Sequence, residues 1–120
     1  MTLKRMDNVL IVVEDLEAAK EFFFELGMEL EGEMSVEGRS VDLLVGLENV
    51  RCEIATMRTP DGHGRIELDK FHTPAVIRSE PKNTSVNMLG FHRIMFAVDD
   101  MENVLARLRT HGVALAQQLK

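Results

Sequence analysis

The chain has 120 residues, of which 45% are apolar and 28% charged, with a formal net charge of -6; this fits one ordinary globular domain and not a disordered segment. Twenty acidic against fourteen basic residues speak against the broad basic surface that a nucleic-acid partner requires. Cys52 is the single cysteine and has no intramolecular partner, no apolar run approaches the roughly 18 residues of a membrane span, and the opening Met1-Thr-Leu-Lys-Arg-Met-Asp7 does not read as a secretory signal. A soluble protein of a reducing, cytoplasmic compartment is expected, with neither nucleic acid nor membrane as partner.

Val9 to Val13 is a short, β-branched apolar run closed by Glu14-Asp15, and it predicts a buried strand. Asp15 has the chemistry of a helix N-cap, and Leu16, Ala19, Phe22, Phe23 and Leu26 recur at steps of three and four up to Gly27. That spacing predicts a helix over residues 15–26, stopped by a left-handed glycine. Met28 to Val36 alternates loosely, as a strand with one wet face does, and Val41, Leu44, Val45 and Leu47 suit a helical turn or a strand equally. Val50, Cys52 and Ile54 alternate with Arg51, Glu53 and Ala55; Thr59-Pro-Asp-Gly62 is a turn; Ile66 and Leu68 alternate with Arg65, Glu67 and Asp69. The first 71 residues therefore read β-α-β-β-β, an α+β unit.

Nine acids against Lys20 alone fall between Glu14 and Glu37; they read as a solvated helix face leading into an exposed strand. Residues 72–90, with Pro74 and Pro81 among many turn formers, read as a long linker. Shifting the chain by 85 residues lays Ile11-Val-Val-Glu-Asp-Leu-Glu17 on Phe96-Ala-Val-Asp-Asp-Met-Glu102, and Gly27 on Gly112. A strand, an aspartate cap, a helix and its glycine recur in one register, so residues 91–120 predict the start of a second module: strand, helix and a partial strand at Val113-Ala-Leu-Ala116.

The phrases Met6-Asp-Asn-Val-Leu-Ile-Val-Val-Glu-Asp-Leu-Glu-Ala-Ala-Lys-Glu-Phe-Phe-Phe-Glu-Leu-Gly27, Thr59-Pro-Asp-Gly-His-Gly-Arg-Ile-Glu-Leu68 and Phe91-His-Arg-Ile-Met-Phe-Ala-Val-Asp-Asp100 resemble the vicinal oxygen chelate superfamily of glyoxalases, bleomycin-resistance proteins and extradiol dioxygenases. The resemblance implies two βαβββ modules whose sheets curl around one cleft, with metal ligands from the first and last strands of each. In that pattern the first-strand ligand stands seven residues before the capping aspartate, which gives Asn8 and Arg93 here, and the last-strand acid of the first module falls on Glu67. His92 is one residue out of step with that position, and in a strand one step turns a side chain to the opposite face. It becomes a ligand only through a bulge. The fourth ligand would belong to a last strand that this sequence lacks, so the chain is either shortened or completed by another subunit. A guanidinium is no metal ligand.

If Val50, Cys52, Ile54, Ile66 and Leu68 face the helices, then Arg51, Glu53, Arg65, Glu67 and Asp69 face the cleft with Asn8 and Arg93. Asn8, Arg51, Glu53, Glu67 and Arg93 are thus the expected ligand-binding residues, Glu67 being the candidate base or orienting acid. Glu67 and Arg93 are expected to pair across the module interface or to share an anionic ligand. No cofactor is expected; a divalent metal on Glu67 and His92 is the alternative. Cys52 reads as a small buried hydrophobe, and His63, His72 and His111 as surface residues. The resemblance implies a protein that holds a small anionic or oxygen-rich molecule in a cleft with a degenerate metal site, or alternatively a metal-dependent lyase, isomerase or dioxygenase. The open edges of an incomplete second module predict a homodimer.

Overall fold

The computed structural model describes residues 2–78, 87–91 and 93–112. Its elements are β1 (Val9–Val12), α1 (Leu16–Leu26), β2 (Glu29–Glu37), α2 (Arg39–Val45), β3 (Arg51–Arg58), β4 (Arg65–Thr73) and α3 (Met101–Arg109). The four strands form one sheet in the order β1-β4-β3-β2, with β1 parallel to β4 and the other two pairs antiparallel. This is the α+β fold read from the sequence. The connection from β1 through α1 returns the chain along one face of the sheet, and that face carries the core: Leu16, Met28, Ala55, Met57, Ile66 and Leu68 are buried, with Ile11, Val13, Ala19, Phe23 and Phe96 packed against them. No described helix is long and apolar enough to cross a membrane.

The helix ends follow from their capping residues. The Asp15 carboxylate accepts from the Ala18 backbone N–H at 3.0 Å, satisfying one of the donors that a first turn leaves unpaired. Gly27 closes α1 at φ 117°, a conformation that a Cβ would strain, and its N–H returns to the carbonyls of Phe23 and Phe24. The cap and helix of the repeat recur in three dimensions: Asp100 caps α3 by accepting from Asn103 N–H at 3.0 Å, and α3 packs on α1 through its buried Val104 and Leu108. Its far end departs from the repeat. α3 stops at Thr110 in the right-handed region, and the left-handed glycine, Gly112, follows two residues later. Asp15→Ala is expected to lower stability by about 1 kcal/mol, read as a lower urea midpoint, while Asp15→Asn, which keeps an acceptor, is expected to stay near the parent.

One stretch left open is decided, and two expectations are corrected. The ambiguous stretch after β2 is the short helix α2, whose Asp42 carboxylate accepts from Asn49 N–H at 3.1 Å and Val50 N–H at 2.9 Å and so ties the helix to the start of β3. β4 runs on to Thr73, because Thr73 still pairs with Arg51 across the ladder, and the first module extends past residue 71. The strand expected ahead of the Asp100 cap is not formed among the described residues. A strand exists only through a partner that takes up its backbone groups, and no described strand pairs with this segment. The partial strand expected at Val113–Ala116 lies outside the described residues.

Candidate functional site

A strand presents alternate residues to opposite faces, and directly paired residues share a face. In β3 and β4 the pairs Ala55↔Leu68 and Met57↔Ile66 belong to the helix-covered core. The intervening pairs, Ile54↔Asp69 and Thr56↔Glu67, therefore point to the opposite face, which in the family pattern is the concave, cleft-lining one, together with Cys52↔Phe71 beyond them. On β1, Leu10 and Val12 stand beside Glu67 and Asp69, and on β2, Met34 stands beside Ile54. The concave face is thus apolar at Leu10, Val12, Met34 and Ile54, with two carboxyls, Glu67 and Asp69, on its second strand and Arg58 and Arg65 towards one end.

This register corrects the facing of β3. Cys52 and Ile54 lie on the concave side, whereas Arg51 and Glu53 lie off it, so both leave the candidate site. Arg51 pairs with Glu37 at 3.5 Å, and Glu53 bonds His72 Nε2 at 2.9 Å. The alternation of Cys52 and Ile54 with charged neighbours suggests that the apolar parity is the covered one. Ala55 and Met57, which carry the opposite parity, are the residues under the helix because they meet Leu68 and Ile66 across the ladder. The register shift between Arg51 and Cys52 accompanies the change.

The other expected residues are placed as follows. Glu67 is half-buried on the concave face and lines a hollow of about 270 Å³ with Thr56, Ile54, Met34 and Glu31. Asn8 is exposed just before β1, in step with Leu10 and Val12. Arg93 is exposed along β1, at the edge of the sheet, where it lines a separate hollow of about 600 Å³ with Val9 to Val12, Phe91 and Ile94. No ion pair joins it to Glu67. The expected pairing fails because Arg93 sits against β1, the edge strand, while Glu67 lies one strand further in. His92 lies outside the described residues. A larger open trough of about 780 Å³, between the Thr59–Gly64 turn and α3, contains none of the expected site residues.

Two groups emerge that the motif spacing does not select. Asp69 is only 6% exposed, and its Oδ1 has no hydrogen-bond partner. Burial first, and then the Glu67 carboxyl beside it, push its pKa up to about 7. The signal present in the sequence is the two-residue step from Glu67. Thr56, directly opposite Glu67, is hidden by the reversed parity of β3. The Cys52 thiol is pushed up to about 12 by its own burial and then by Asp69, so it is no thiolate nucleophile at neutral pH.

The cations of the concave face are spent elsewhere. Arg65 forms a two-pronged contact with Glu31, Nε to Oε1 at 2.9 Å and Nη2 to Oε2 at 3.0 Å, and thereby holds the Glu31 carboxyl below its ordinary range. Arg58 reaches Glu29 at 3.3 Å and Glu31 at 3.8 Å. Neither Glu67 nor Asp69 has an ion-pair partner among the described residues.

A divalent ion of the kind this fold class holds requires several oxygen, nitrogen or sulfur donors converging on one point. Glu67 is flanked by Leu10 and Thr56, the position matching the second module's first ligand is the guanidinium Arg93, and no group of three histidine, cysteine or acidic side chains converges among the described residues. Among the described residues the donor set does not make up a divalent ion's shell.

Residues 7–120 match the family model described as the Glyoxalase/Bleomycin resistance protein/Dioxygenase superfamily. The crystal structure of a glyoxalase family protein from Bacillus cereus is similar at 46% identity and a TM-score of 0.88, over 100% of this chain and 82% of that one. Among curated proteins none matches. With its β1-β4-β3-β2 sheet, aspartate-capped helices and a family match over nearly all its length, the chain belongs to the glyoxalase/bleomycin resistance protein/dioxygenase superfamily.

Proposed function

We propose that this chain holds a small oxygen-rich organic molecule on the concave face of its sheet, with Glu67 orienting the molecule or taking a proton from it. Arg93, at the neighbouring edge, would receive an anionic or strongly polarised oxygen. The observation that carries this reading is the place of Glu67: the acid that the family pattern selects stands on an apolar face, at a hollow, with no cation of the described residues spent on it. Polar groups few in number and set among apolar ones are what ligand sites present. Because the donor set lacks a divalent shell, the reading is of a metal-poor site, nearer to the sequestering members of the superfamily than to a metal-dependent lyase, isomerase or dioxygenase. A cytoplasmic setting suits the free Cys52.

The test is a thermal-shift screen of small carbonyl and hydroxyl compounds, with elemental analysis of the same preparation. Hits are expected to raise the melting temperature of the parent by several degrees and to lose about tenfold in affinity in Glu67→Gln, about 1.4 kcal/mol. Hits that stabilise Glu67→Gln as well as the parent, or a stoichiometric divalent ion, overturn the reading. The same reading includes a homodimer whose modules share the cleft, supported by Leu10 and Val12, each 50% exposed, and Met34, 60% exposed, on one face. Sedimentation of a clean 13.6 kDa species at micromolar concentration overturns that part.

A further inference from the structure

The unpartnered oxygen on the concave face bears on the charge of what binds there. Asp69 stands between Val12 on β1 and Ile54 on β3, with Glu67 two residues away on its own strand and Cys52 nearby on β3. It is more than nine-tenths buried, at 6% exposure, yet Oδ1 receives no donor. The Cys52 thiol and the Glu67 carboxyl lie within hydrogen-bond reach of the group, but Oδ1 itself loses hydration and gains no donor in return. Proteins ordinarily settle such a group with an arginine or lysine, and this chain has them close by: Arg65 stands two residues before Glu67 on β4, and Arg58 sits on the adjacent strand. Both are committed to Glu29 and Glu31 instead. The centre of the face is left with two acids and apolar neighbours, and the Arg93 guanidinium lies at the β1 edge beside Leu10 and Val12.

We propose that Glu67 and Asp69 together receive an organic ammonium group, while Leu10, Val12 and Ile54 receive the apolar body that carries it. An ammonium brings both things the pair lacks, a positive charge and N–H donors, and charge-assisted hydrogen bonds in a desolvated setting are the strong ones. Thr56, opposite Glu67, offers its hydroxyl as an acceptor beside them. A carboxylate at this point would meet two acids, and a neutral alcohol would supply one donor and no charge. The inference rests on the reading of the concave face as a ligand site and names the chemical class that the face selects.

The experiment compares three probes of similar size, 2-phenylethylammonium, 2-phenylethanol and 3-phenylpropionate, titrated at about pH 8 into the isotopically labelled full chain and followed by amide and methyl shift changes. The ammonium is expected to perturb Leu10, Val12, Ile54, Thr56, Glu67 and Asp69 and to bind at least about tenfold more tightly than either of the others. Asp69→Asn and Glu67→Gln, each first shown to be folded by circular dichroism, are each expected to remove that preference. If the alcohol or the carboxylate binds the same residues as well as the ammonium does, the ammonium assignment falls and the site reading stands. The assignment falls likewise if both variants keep the preference. If no probe shifts any concave-face resonance, both fall.

Discussion

Leu68→Ala is expected to destabilise the chain by about 3–4 kcal/mol. Leu68 is fully buried, lies at the centre of β4 between β1 and β3, and faces Ala55 across the ladder. Because Ala55 is small, the leucine side chain fills the space above both residues, and its removal leaves a cavity walled by Met57, Ile66 and Leu16 that strands held by hydrogen bonds on both sides cannot close. Against a total stability of roughly 5–15 kcal/mol, such a loss shows plainly in urea denaturation. Leu44→Ala, at a site 85% exposed on α2, is the control and is expected within about 0.5 kcal/mol of the parent. Equal losses at the two sites would mean that the core is not where the register puts it.

Asp69→Asn is expected to make the chain more stable at pH 8 and to flatten its dependence on pH. The Asp69 carboxyl titrates at about 7 in the folded chain, because of burial first and Glu67 second, and in the ordinary carboxylate range once unfolded. Between those two values the folded state holds a proton that the unfolded state has released, so stability falls as pH rises from about 4 to 7. The contribution is fully present below the unfolded pKa and is lost above the folded one. Asp69 and Glu67 titrate as a pair, and an asparagine, which carries no charge to desolvate and none to repel Glu67, is expected to gain about 1–2 kcal/mol at pH 8. Urea midpoints taken at pH 4.5 and pH 8 decide the matter. Parallel curves for parent and variant would show that the carboxyl is hydrated or paired.

The site is legible in the sequence only in part, for a reason visible in individual residues. Glu67 is found because the phrase around it, Gly64-Arg-Ile-Glu-Leu68, follows the family pattern, and its place on the concave face agrees with that count. Arg51 and Glu53 are misplaced by alternation because β3 carries tolerably apolar residues on both parities: Cys52 and Ile54 on one, Ala55 and Met57 on the other. Period-two reasoning identifies two faces and leaves open which is covered when both qualify. Arg93 and Glu67 are matched by counting from a cap and from a motif, and counting along a chain carries no information about which strand lies between two segments.

Local features whose chemistry is complete within a few residues can be read directly from the chain. These are the Asp15 and Asp100 caps, the glycine that ends α1, the Thr59–Gly64 turn with its Asp61 side chain accepting from His63 N–H at 3.0 Å, and the β-α-β-β-β order apart from the short α2 between β2 and β3. Three further features exist only once the sheet is assembled: which face of β3 meets the helix, the burial of Asp69 with an oxygen unpaired, and the engagement of Arg58 and Arg65 by Glu29 and Glu31. Caps and turns pair backbone groups with neighbours in the chain, so their energetics are written locally. Burial and ion pairing depend on which distant residue the register sets opposite, and here a single ladder, Thr56 to Glu67 and Ile54 to Asp69, sets both the composition of the concave face and its charge.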